Sequence, residues 1–179
     1  PYTKSQETKL GKLPNGGNPE IEERMLAKVV AYLQTLAPPA RRNHRDPQVI
    51  RGEVLFHQSG CAKCHLTEMK TGPQAELVEL KNQTIHPYTD LLLHDMGEDL
   101  ADHRADFEAA GREWRTPPLW GIGLTKVVNG HTRFLHDGRA RNLEEAILWH
   151  GGEALAARKA YSSLAKEERS RLLAFLNSL

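Results

Sequence analysis

The sequence predicts a mostly α domain, and three observations carry that expectation. Apolar residues recur at helical spacing before residue 37 and again at the end of the chain. Between Cys64-His65 and the last helix no period-two strand pattern appears. That stretch is punctuated instead by Gly72-Pro73, His86-Pro87, Pro117-Pro118 and Gly151-Gly152, the composition of loops that wrap over something. Leu91-Leu92-Leu93, Trp114, Leu119-Trp120 and Phe134-Leu135 make it too apolar for a disordered insertion.

The elements follow in chain order. Pro14 to Pro19 is a Gly/Asn/Pro-rich breaker, after which Ile21, Met25, Val29, Leu33 and Leu36 mark an amphipathic helix that stops before Pro38-Pro39. Arg41, Arg42 and Arg45 lie in a polar linker. Asp46 is an N-cap with Pro47 at the first helical position. The helix it opens, over 46–57, carries Ile50, Val54 and Leu55 on one side and delivers Gly60 and Cys61. Asn142 reads as another N-cap, with Glu145 as its capping-box partner. Leu143, Ala146, Ile147 and His150 then share one helix face. The closing helix, 165–179, shows Leu172, Leu173, Leu176 and Leu179 together. Its last six residues echo residues 31–36 in an aromatic-Leu-polar-small-Leu pattern. Amphipathic helices resemble one another, but the echo also suits residues 1–45 as the closing helix of a preceding domain plus a linker, with the domain proper over 46–179.

Composition narrows the class. With 39% hydrophobic and 6% aromatic residues the apolar supply is thin for a 179-residue chain, and a buried planar cofactor would supplement it. A net charge of +1 gives no nucleic-acid surface. No apolar run reaches the roughly 20 residues that span a bilayer. No signal peptide is visible and the chain opens on Pro1, so the sequence reads as mature, truncated or a fragment. Oligomeric state is not legible.

The chemistry concentrates in Cys61-Ala62-Lys63-Cys64-His65. Two thiols three positions apart can bond to the two vinyl groups of a haem, with the adjacent histidine held as an axial iron ligand. These are the chain's only cysteines, so no disulfide framework competes. A zinc site would want further ligands of the same kind, and dithiol redox chemistry would want a βαβ context. Covalent haem c, one per chain, is the leading expectation, with electron transfer as the function. Haem attachment normally occurs outside the cytoplasm, so the parent is expected to be periplasmic or otherwise exported. A haem that reacts directly with peroxide at an open distal position, with a histidine or Glu153 moving protons, is one alternative. A non-haem metal or dithiol module is the other.

The ligand opposite His65 must be argued. His150 comes first, because its helix face points inward just before Gly151-Gly152. Met96 is the rival, in a Leu-rich segment where Gly97 permits a turn that aims the thioether, and His94, His131 and His136 are less well placed candidates. Arg115 and Arg139 are candidates for the haem propionates, since guanidinium meets carboxylate in a bidentate fork. Trp114, Trp120 and Trp149 are expected to pack against the porphyrin or the core.

Four strings in order, RGEVLFHQSGCAKCH (51–65), HPYTDLLLHDMGEDLAD (86–102), GREWRTPPLWGIGL (111–124) and TRFLHDGRARNLEEAILWHGGEA (132–154), resemble the bacterial di-haem oxidoreductases. These thiol-oxidoreductase- or peroxidase-type proteins are relatives of di-haem cytochrome c peroxidase and MauG. The resemblance covers roughly residues 20–179 and implies a C-terminal, cytochrome c-like haem domain with long covering loops and an extra N-terminal helix. It also implies that the distal ligand follows the Leu-Glu-Glu-Ala string, where the peroxidases carry methionine and MauG tyrosine; here His150 stands there. Full-length relatives hold a second haem in an N-terminal domain, whereas this chain has one Cys-x-x-Cys-His. The resemblance therefore implies an electron-transfer domain within a peroxidase-like parent, partnered by an adjacent haem domain or a redox protein.

Overall fold

A computed structural model of the chain describes residues 16–179. It is mostly helical, and it parts into two compact units between Ala37 and Pro38. The smaller unit contains helix α1 (Glu23–Gln34), an amphipathic helix that buries none of its residues within that unit. The opening breaker begins at Pro14, and its first two residues fall outside the described ones.

The larger unit is built on helices α2 (Pro47–Gln58) and α6 (Lys166–Ser178). Asp46 caps α2 as expected, its carboxylate accepting the Gln48 N–H at 2.8 Å, with Pro47 already shaped for the first turn. The buried face of α2 shares only Leu55 with the expected one. Val49, Gly52, Leu55 and Phe56 point inward, while Ile50 and Val54 stand 49% and 41% exposed. The reason is Gly52. A Cβ there would run into the backbone carbonyl of Arg171, so the helices cross where a missing side chain lets their backbones meet, and α2 rotates to suit.

Phe56, Tyr88 and Phe175 then form an aromatic triangle with centroids 5.2–6.3 Å apart, surrounded by Leu55, Leu172 and Leu176. Residues 38–45 pack with this unit. Arg41 forks onto Glu53 at 3.1 and 2.9 Å and sits 5.0 Å over the Phe175 ring, and the Arg42 N–H donates to Ser178 O at 2.8 Å.

The middle stretch is indeed loop-rich, with short elements the periodicity does not show. Strands β1 (Met69–Lys70) and β2 (Thr84–Ile85) pair antiparallel, Met69 opposite Ile85. Strands β3 (Leu93–Asp95) and β4 (Glu113–Arg115) form a second antiparallel ribbon, His94 opposite Trp114. Helix α3 (Thr125–Asn129) follows, then α4 (Leu143–Leu148) and α5 (Leu155–Ser163). Asn142 caps α4 by accepting the Glu145 N–H at 2.8 Å. The reciprocal half of the expected capping box does not form, because Glu145 binds the Arg141 backbone N–H and guanidinium instead. Helix α4 ends at Leu148, so His150 lies in the turn just beyond it, held by its N–H donating to Ile147 O at 3.1 Å. No helix among the described residues is long and apolar enough to cross a membrane.

Candidate functional site

Helix α2 ends at Gln58, and Gly60, at φ 83°, reverses the chain into a single 3-10 turn, Cys61–Lys63. Glycine adopts that angle freely, which is why the motif can begin one residue later. His65 N–H returns to Cys61 O at 3.0 Å and closes the loop around the two thiols. Both cysteines are free and half-buried. Burial pushes the Cys61 thiol up to about 11 and raises Cys64 as well, so neither is a ready thiolate.

The imidazole of His65 is oriented from behind. Its Nδ1 lies 2.9 Å from the carbonyl of Tyr88. A carbonyl only accepts, so Nδ1 carries the proton and Nε2 presents its lone pair. Tyr88 reaches this position with φ 56°, an unfavourable angle for an aromatic residue. The segment around it is clamped. Buried Thr89 donates its hydroxyl to Thr116 O at 2.7 Å, and its N–H binds Leu66 O at 3.2 Å. Burial lowers His65 to about 4, partly offset by the Tyr88 bond, so it is neutral at physiological pH.

His150 repeats this arrangement. Its Nδ1 is 2.7 Å from Ala146 O, Nε2 is left as the lone-pair nitrogen, and burial lowers its pKa. Met96 follows β3, half-buried, with its N–H bound to Arg112 O at 2.9 Å. Gly97, at φ 81°, makes the expected turn. The two candidate distal segments touch through backbone: a Cβ on Gly151 would stand 2.6 Å from Met96 O.

A network flanks the site and joins two residues that the sequence offered separately, His94 and Glu153. His94 lies 2.8 Å from Asp90 Oδ2 and 2.9 Å from Glu153 Oε2. Glu153 also accepts the Asp95 N–H at 3.0 Å. Both imidazole nitrogens face carboxylates, so both donate, and these bonds, Glu153 foremost, raise the His94 pKa. Ligand-type atoms of Cys64, Asp90 and His94 lie within 4.8 Å of one another. The Asp90-x-x-x-His94 spacing was the only sequence signal for this cluster, and Glu153 joins it through folding alone.

The arginines differ. The Arg115 side chain is exposed and has no hydrogen bond or ion pair among the described residues. Arg139 is engaged by Asp137 at 2.6 Å, donates to Asp99 O and lies 4.9 Å over the Trp149 ring. Trp114 stacks on His136 at 3.6 Å and donates to Leu100 O, while Trp120 and Trp149 are 37% and 36% exposed.

Two thiols on one turn, beside a neutral imidazole with a directed Nε2 and a second imidazole prepared the same way, form a donor set that fits haem. The chain's relationships agree. The sequence model of the family described as "di-haem oxidoreductase, putative peroxidase" matches residues 2–179, and the chain belongs to that family. Its function is therefore haem-linked redox chemistry. No curated protein and no solved structure matches the chain.

Proposed function

We propose that this chain binds one haem c covalently and transfers electrons, as the C-terminal haem domain of a peroxidase-like di-haem oxidoreductase. The observation that carries this reading is the matched preparation of His65 and His150, each with Nδ1 fixed on a backbone carbonyl and Nε2 left to bind. Cys61 and Cys64 would tether the porphyrin through thioether bonds. His65 would serve as proximal ligand and His150 as distal ligand, ahead of Met96. When bound, haem supplies a one-electron couple at iron.

The chain's own residues do the rest. Tyr88 O holds the His65 ring and, by taking its Nδ1 proton in a hydrogen bond, makes Nε2 a stronger donor. Ala146 O does the same for His150. Gly151 and Gly152 let the segment after His150 lie against the backbone of Asp95 and Met96, which fixes the distal side. Arg115 is free to meet a propionate, whereas Arg139 would have to share itself with Asp137. A ligand pair of two histidines gives a lower potential than histidine with methionine, which favours a carrier over a strong oxidant.

The family is di-haem and the sequence holds one Cys-x-x-Cys-His, so the partner is a second haem domain or a redox protein outside this chain. Residues 1–45 read as the closing helix of such a domain plus linker, and the parent as an exported, periplasmic protein. Near-infrared magnetic circular dichroism of the ferric protein tests the ligand assignment. The bis-histidine charge-transfer band is expected in wild type and Met96→Ala and lost in His150→Ala. An unchanged band in His150→Ala would defeat the assignment.

A further inference from the structure

The thiol of Cys64, a carboxylate oxygen of Asp90 and a ring nitrogen of His94 lie within 4.8 Å of one another, on three half-buried residues. Of these, only Cys64 has a part in the haem reading. Three features of the chain bring the donors together. The Thr89 N–H donates to Leu66 O at 3.2 Å, which lays Asp90 beside the end of the cysteine turn. Leu91, at φ 62°, bends the chain between Asp90 and His94. Strand β3 then fixes His94 opposite Trp114.

Each donor is also backed. The Leu92 N–H donates to Asp90 Oδ1 at 2.9 Å, leaving Oδ2 toward His94 Nε2, 2.8 Å away. On its far side the His94 ring donates Nδ1–H to Glu153 at 2.9 Å, and Glu153 is held in turn by the Asp95 N–H at 3.0 Å. A carboxylate behind a histidine orients the ring and makes its other nitrogen a better metal donor. A tetrahedral ion with bonds of about 2.0–2.3 Å sets its ligands roughly 3.3–3.6 Å apart, so small side-chain rotations complete the set. The donors also select the ion. One thiolate, one imidazole and one carboxylate suit zinc, whereas calcium and magnesium take oxygen ligands.

We propose that the chain, before haem joins Cys64, binds one zinc ion through Cys64 Sγ, Asp90 Oδ2 and His94 Nε2, with water in the fourth position and Glu153 behind the histidine. The proposal rests on the haem reading above, because zinc and the Cys64 thioether exclude each other: zinc holds the thiolate until the porphyrin takes it. Binding releases two protons to water, one from the Cys64 thiol and one from His94 Nε2, and no electron moves. When zinc leaves, both protons return, and the Cys64 S–H adds across a haem vinyl group. Cys61 and His65 take no part, and His65 keeps its Nδ1 on Tyr88 O.

The test uses the haem-free full chain, produced where haem is not attached and kept reduced, with zinc chloride as the probe. Calorimetry is expected to show one zinc per chain, undisturbed by an excess of calcium or magnesium. Glu153→Gln should weaken binding roughly tenfold or more, as loss of an outer-shell partner does, and Cys64→Ser or His94→Gln should weaken it further. Cys61→Ser should leave it unchanged. Cobalt(II) in place of zinc should show the charge-transfer absorption of a single thiolate, which reads the wild-type site even where a variant fails to fold. A two-thiolate cobalt spectrum, or binding lost in Cys61→Ser, would assign the ion to the Cys-x-x-Cys-His run and overturn the proposal. Absence of binding, or binding unchanged in His94→Gln or in the haem-loaded protein, would overturn it too. A missing Soret band in protein from a host that attaches haem c would defeat the haem reading itself, which zinc titration of the haem-free chain does not touch.

Discussion

At the scale of single residues, His94 ties two segments that carry the candidate distal ligands. Its imidazole bridges Asp90, at the start of the β3 segment, and Glu153, three residues past His150. Glu153 in turn caps the Asp95 N–H. Replacing His94 by Gln keeps a polar side chain but cannot span both carboxylates with charged donors. Amide exchange at Asp95 and Met96 should then quicken, with α2 and α6 unaffected. Hydrogen-exchange mass spectrometry checks this, and equal protection in variant and wild type would remove His94 from the account. Residues of this site differ in legibility for a physical reason. Cys61, Cys64 and His65 are readable because they stand at fixed spacing in one short run. Asp90 and Glu153 meet His94 across loops, and no local pattern encodes that meeting.

At the scale of elements, the crossing of α2 and α6 is the mechanical centre of the larger unit. Gly52 lies where the backbone of Arg171 approaches, and Gly52→Ala should cost roughly 1–3 kcal/mol or more because backbone cannot step aside as a side chain can. Leu172 is 0% exposed in the same seam, and Leu172→Ala should cost roughly 2–5 kcal/mol. Denaturant titration of each variant measures both; values near zero would mean that the crossing does not hold the unit. The existence and ends of α2 and α6 follow from Asp46, Pro47 and the leucine spacing. Which face of α2 turns inward did not follow, since Ile50 and Val54 look more apolar than Gly52. Closeness of packing, not hydrophobicity, set the rotation. The ribbons β1–β2 and β3–β4 have strands of two or three residues, too short for alternation to register. The helix expected to carry His150 stops at Leu148, yet the histidine still has its ring nitrogen on Ala146, one turn back.

At the scale of the whole molecule, the thin apolar supply and the loop-rich middle stretch are what the proposed haem, serving as part of the core, would complete. Helical class and family membership are established, and the sequence holds one Cys-x-x-Cys-His. The larger unit places the cysteine turn at the end of α2 and supports His65 from the Tyr88 strap. Everything proposed here depends on haem being bonded to Cys61 and Cys64. Intact mass of the protein after acidic acetone extraction, when it has been produced in a host that attaches haem c, tests this most directly. The account predicts that wild type keeps the mass of one haem and that Cys61→Ala/Cys64→Ala does not. A wild-type mass equal to the bare polypeptide would contradict it.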